Sequence, residues 1–160
     1  PTYGFHDLRF TPEGATRADF VLNRPPYDRA GILVAERNFG VGSSREAAVY
    51  ALLAMGIRCV VAEGFGDIFF SNSLKNGLLP VRLAEDQCRS LRQLVAEKPG
   101  TTLTLDLPAN LLVVPDGATY PFAIPAFARD CLLRGLDEIG LTFTLMPEIE
   151  SFEARRGATA

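Results

Sequence analysis

Apolar positions along the chain fall into short runs separated by glycine, proline and polar residues, and their spacing changes character near residue 100. Residues 1–30 are rich in Pro, Gly, Arg and aromatic side chains with little periodicity, which predicts irregular structure. Residues 32–35 (Ile-Leu-Val-Ala) read as a buried strand and 37–42 as a loop. A helix over 44–55 is closed by Gly56, a residue suited to a helix C-terminus. Residues 59–62 (Cys-Val-Val-Ala) form a second apolar strand. Strand, helix and strand in so short a stretch predict a βαβ unit with parallel strands and a right-handed crossover. Asp67 is placed to cap a short helix ending at Asn76-Gly77, followed by a strand over 79–83. Leu91, Leu94 and Val95 then mark a helix over 85–97 by their spacing.

Beyond Pro99-Gly100 the texture turns β-like. Residues 101–107 alternate, and 111–114 and 119–124 read as short strands joined by an Asp116-Gly117 hairpin signal. Pro125 opens a helix to about Arg134, residues 141–145 read as a last strand, and the polar tail from Ser151 is expected to fray. No internal repeat or low-complexity tract interrupts the series. The pattern predicts one layered α/β domain over residues 1–160.

Composition narrows the possible functions. With 48% hydrophobic and 22% charged residues, a chain of 160 residues can bury a core and keep a soluble surface. Its net charge of −3 argues against general nucleic-acid binding, which requires a basic stripe. Cys59, Cys88 and Cys131 are odd in number and contain no CxxC, so neither a disulfide framework nor a metal knot is implied, and a reducing cytoplasm is the expected setting. The apolar runs are too short to span a bilayer, and no signal peptide is visible. The chain opens on Pro1 without a methionine, so some N-terminal sequence is expected to be missing or processed.

The candidate chemistry lies at Asn38-Phe39-Gly40-Val41-Gly42-Ser43-Ser44-Arg45-Glu46, between the first strand and its helix. Gly40 and Gly42 allow a tight turn and close approach to a ligand. Ser43 and Ser44 can cap the helix, whose free N–H groups attract anions. Arg45 offers a planar fork for a carboxylate or a phosphate. The loop is not a P-loop, since no Gly-Lys-Ser/Thr follows, and it lacks the third glycine of a dinucleotide fingerprint. His6 is the only histidine, which leaves a Ser-His-Asp hydrolase with little support.

This nonapeptide resembles the active-site signature of the swivel domain in the aconitase superfamily, above all in the small-subunit family of the 3-isopropylmalate dehydratases. Further segments agree in order and spacing: Phe20-Val21-Leu22-Asn23 with Pro25 and Tyr27, Gly64-Phe65-Gly66-Asp67-Ile68-Phe69-Phe70 with Asn72, Lys75-Asn76-Gly77-Leu78-Leu79-Pro80-Val81, and Gly135-Leu136-Asp137-Glu138-Ile139-Gly140-Leu141-Thr142. The resemblance implies a swivelling β/β/α three-layer fold, with a parallel central sheet and a second, antiparallel one. It implies a hydro-lyase subunit of leucine biosynthesis, inactive without a large subunit that holds a [4Fe–4S] cluster, with no cluster or metal on this chain. It would make Ser43 the base that removes a carbon-bound proton. Ser44 would hydrogen-bond the substrate, Arg45 would grip its carboxylate, Gly40 and Gly42 would shape the substrate site, and Glu46 would orient Arg45 or the loop.

The chain departs from the family pattern at several points. Val41 stands where cysteine is usual, Ala47 replaces a histidine, Gly64-Phe65-Gly66-Asp67 replaces Ser-Phe-Ala-Asp, and an Asp-Thr-Asp-containing N-terminal strand is missing. The surroundings of the serines are therefore altered. Another hydroxyacid of the methylmalate or homoaconitate type, or a non-catalytic anion-binding or assembly role, are the alternative readings.

Overall fold

Strand β2 (Cys59–Ala62) is the centre of the molecule, and all four of its residues are fully buried. Side chains alternate across a strand, so the two faces of β2 feed two different cores. In the computed structural model, which describes residues 4–136 and 138–157, Cys59 and Val61 face one way and Val60 and Ala62 the other. Pro1, Asp137 of the late family segment and the last three residues of the tail lie outside the described residues. Strands β1 (Ile32–Val34) and β3 (Leu79–Arg82) flank β2 in parallel, with Leu33 opposite Val60 and Val60 opposite Pro80. Burial on both faces explains why these runs are continuously apolar rather than alternating.

Val60 and Ala62 pack against Val49 and Leu52 of α2 (Ala47–Ala54) and Phe69 of α3 (Asp67–Lys75). On the other face, Cys59 and Val61 meet Cys88 and Leu91 of α4 (Glu85–Glu97) together with Leu112, Val114 and Phe122. Leu112 belongs to a separate antiparallel sheet of β4 (Thr104–Asp106), β5 (Leu111–Val113) and β6 (Thr119–Pro121), in the order β4-β5-β6. The layers are therefore helices, parallel sheet and antiparallel sheet, as the sequence predicts. Each fully buried valine contributes about 1.5–3 kcal/mol to this arrangement. The Asp116-Gly117 turn forms as expected, with Gly117 at φ 88° and Asp116 Oδ1 accepting from the Ala118 N–H at 2.9 Å.

Four expectations need correction. Helix α2 starts at Ala47, not at the serines, and its N-cap, Glu46, makes no side-chain cap bond. Asp67 lies inside the first turn of α3 behind N-cap Gly66, so it does not cap that helix. Residues 141–145 are not a strand. They fall in α6 (Glu138–Thr144) and its exit, followed by α7 (Met146–Gly157), which takes in the described part of the polar tail expected to fray. Leu-Thr-Phe-Thr-Leu alternates in β fashion, but a helix satisfies its own backbone while a strand needs a neighbour. Pro147 lies in the first turn of α7, where a missing N–H costs little. From Gly4 to Ala30 the described chain is irregular apart from short turns: α1 (His6–Arg9) and two 3-10 turns, Val21–Asn23 and Tyr27–Arg29.

Candidate functional site

The loop leaving β1 and the loop leaving β2 run side by side at the carboxyl ends of the parallel strands, the usual place for a ligand in such sheets. Phe39 N–H donates to Gly64 O at 3.0 Å, and Gly66 N–H donates to Phe39 O at 2.9 Å, which makes an isolated parallel bridge between Phe39 and Phe65. Asn38 and Gly40 take left-handed backbone at φ 61° and 78° to make this turn. Gly40 has a second reason to be glycine. A Cβ there would lie 2.3 Å from Cγ of Phe69, whose ring is held by Phe39 at 5.4 Å and Phe65 at 6.3 Å. Gly66 is similarly confined, since its Cβ would lie 3.0 Å from Cα of Val41. The aromatic cluster and the two glycines thus seat the loop on α3.

Past Gly40 the loop emerges from this support. Val41 is 65% exposed, Ser43 is half-buried, and Ser44 and Arg45 are exposed. Ser43 Oγ accepts a hydrogen bond from the Arg45 backbone N–H at 3.2 Å. This bond turns the hydroxyl back toward the segment entering α2 instead of capping the helix. Among the described residues Arg45 has no ion-pair partner, and Glu46 makes no hydrogen bond to it, contrary to the orienting role expected of Glu46. The guanidinium is left available for an anionic ligand.

A cleft of about 490 Å³ opens here. Its lining includes Gly40, Gly42, Ser43 and Arg45 together with the apolar Phe5, Ala47 and Ala51. Four of the five sequence-predicted site residues therefore share one cleft, while Ser44 is exposed and is not among its lining residues. His6 makes its hydrogen bond elsewhere than at the serines: its ring pairs with Asp7 at 3.0 Å and packs on Phe10.

Nothing in the sequence pattern singles out Glu63 and Arg92. Arg92 Nη1 donates to Ala35 O at 2.9 Å and to Glu63 Oε1 at 3.2 Å, behind the two loops. These partners are 57 and 29 residues away, so no local pattern announces them. The cysteines do not suit a cluster. All three are free and buried, burial pushes the Cys59 thiol up, and burial with the nearby Glu63 carboxylate pushes up that of Cys88. Among the described residues no three His, Cys, Asp or Glu side chains converge on a metal position.

Comparison with known proteins gives a consistent result. A family model described as the aconitase C-terminal domain matches residues 6–86, and a second, described as LeuD_N, matches residues 89–126. The chain is 50% identical over 151 residues to a 3-isopropylmalate dehydratase small subunit from Afipia carboxidovorans, covering 94% of this chain and 75% of the relative. It is 45% identical over 152 residues to one from Brevibacillus brevis, covering 95% of this chain and 78% of the relative. A crystal structure of 3-isopropylmalate dehydratase from Methanocaldococcus jannaschii superposes with a TM-score of 0.58 at 30% identity, covering 75% of this chain and 68% of that one.

Proposed function

The chain belongs to the family of 3-isopropylmalate dehydratase small subunits, and from that premise we propose that it completes the active site of a two-subunit hydro-lyase interconverting 2-isopropylmalate and 3-isopropylmalate in leucine biosynthesis. Its partner is the large subunit, which carries the [4Fe–4S] cluster; that cluster supplies the electrophile for the departing hydroxyl. This chain supplies the proton chemistry and the grip on substrate. It works as a single swivel domain in the cytoplasm, a setting that suits three free cysteines.

The observation that carries this reading is the Arg45 N–H donating to Ser43 Oγ at the mouth of the cleft. A serine hydroxyl is too weak an acid to serve as a base at neutral pH unless its anion is stabilised. A backbone N–H aimed at the oxygen does that at no reorganisation cost, and the Arg45 side chain lines the same cleft. Ser43 then removes the carbon-bound proton, Arg45 holds a substrate carboxylate, and Ser44 bonds substrate as the partner closes over the loop. Arg45 is the one charged side chain among the described lining residues, in company with apolar Phe5, Ala47 and Ala51. This favours a dicarboxylate with an alkyl substituent over a tricarboxylate of the homoaconitate type.

The test is anaerobic mixing with the large subunit of the same organism and 2-isopropylmalate, following formation of the unsaturated acid. Turnover should require both chains. Ser43→Ala should lower it about 10²–10⁴-fold, the range for loss of a positioned acid–base group, with complex formation intact. Turnover by this chain alone, or an undiminished Ser43→Ala enzyme, would overturn the assignment. Complex formation without turnover would redirect it to another hydroxyacid or to an assembly role.

A further inference from the structure

We infer that Arg92 is a positioning residue for the serine loop: from α4 its guanidinium holds together the two chain segments that leave β1 and β2, and so sets where Ser43 and Arg45 stand. The inference rests on the serine-loop reading of function and adds a residue outside the signature. Ala35 is the first residue after β1, and Glu63 the first after β2. Arg92 Nη1 donates to the carbonyl of one and the carboxylate of the other. Four and two residues further on, the same segments bond each other through Phe39 and Phe65. The guanidinium therefore fixes the base of the paired loops, and the aromatic bridge fixes their middle. The glycine turn above has little freedom left.

Three features make this more than a surface ion pair. Arg92 and Glu63 are only 28% and 16% exposed, so solvent screens the pair less than an exposed one. One donor end meets both an anion and a backbone carbonyl, which ties a charge-assisted bond to the chain itself. The platform beneath is rigid: Leu91 and Cys88 on α4 are buried, and Tyr27 Oη donates to the Val95 carbonyl of the same helix at 3.1 Å. A lysine would present a compact cation on a flexible stem, able to keep the charge but not the fork.

The experiment has two independent readouts on Arg92→Met, Arg92→Lys and Glu63→Gln. In the assembled enzyme, Arg92→Met should lower kcat roughly 10–100-fold, the scale of an ångström-sized misplacement of a reacting group. KM should rise less, and Arg92→Lys, which keeps the charge but not the geometry, should recover only part of the loss. In the full chain without its partner, amide hydrogen exchange at Phe39 and Gly66 should accelerate in Arg92→Met and Glu63→Gln, while Val61 in β2 keeps its protection. A purely structural staple would instead raise exchange across β2 as well and leave kcat at the wild-type value once folded. Wild-type kcat in Arg92→Met, or unchanged exchange at Phe39 and Gly66, overturns the inference. An inactive wild-type pair would count against the proposed reaction, and the exchange data would still decide the role of Arg92.

Discussion

Replacing Gly40 by alanine should destabilise the chain by about 2–5 kcal/mol, in two separable parts. The first is backbone. Gly40 sits at φ 78°, and an L-residue held in the left-handed region costs roughly 1–2 kcal/mol. The second is steric. The new methyl would lie 2.3 Å from Cγ, 2.6 Å from Cβ and 2.7 Å from Cδ1 of Phe69. Phe69 is 3% exposed and wedged between Phe39 and Phe65, so it cannot swing into solvent, and overpacking of this kind costs about 1–3 kcal/mol. For a chain of this size each kcal/mol moves the melting temperature by roughly 2–4 °C, which predicts a fall of about 4–20 °C. Thermal and urea melts of the full chain read this directly. Gly42→Ala is the matched control: nothing lies within 4 Å of its would-be Cβ and its φ is not left-handed, so its melt should stay within about 0.5 kcal/mol of wild type. Phe69→Leu in the Gly40→Ala background should relieve the steric part alone, giving a favourable coupling in a double-mutant cycle. Should Gly40→Ala melt with Gly42→Ala, the seating of the loop on Phe69 is wrong.

Two further outcomes follow from the site and the core. In the assembled enzyme, Arg45→Ala should raise KM roughly 10–100-fold, the scale of a lost charged hydrogen bond, with Arg45→Lys recovering part of it and circular dichroism unchanged; an unmoved KM removes Arg45 from carboxylate binding. Burial raises the Cys59 thiol pKa, so the folded chain keeps a proton that the unfolded chain releases near pH 8.5. Stability is therefore whole below about pH 8.5 and declines above it, by at most about 1.4 kcal/mol per pH unit from this group. Urea titrations between about pH 8 and 10 should show a shallower alkaline decline in Cys59→Ala, and an equal slope would refute the linkage.

The parallel core was readable because its signal is short-ranged. A run such as Cys-Val-Val-Ala needs burial on both faces, and glycines at 56 and 77 end the helices beside it at left-handed backbone. The polar signature was readable because Gly40 through Arg45 are contiguous. What escaped detection depends on the third dimension. Whether Ser43 caps α2 is decided by the direction its hydroxyl takes, and it accepts from Arg45 instead. Arg92 and Glu63 look like ordinary polar residues flanking apolar ones until α4 is laid across the strand ends. The segment after Leu141 failed for a related reason. Alternation predicts a strand only where an edge is there to receive it, and Phe143 at 67% exposure found no such surface.

The order of the strands bears on how the molecule is made. In both sheets every strand pairs with its neighbour in sequence: Ile32 with Cys59, Cys59 with Leu79, Leu105 with Leu112, Leu112 with Tyr120. During vectorial synthesis each new strand therefore emerges beside one already made, and none must wait for a partner still inside the ribosome. Loop-closure entropy is paid in small steps, which shortens the time that β2, the fully buried strand, spends uncovered. The two aromatic-bearing loops become neighbours in the same step that pairs β1 with β2, well before the antiparallel sheet is synthesised, so the glycine–serine turn is shaped early on the growing chain.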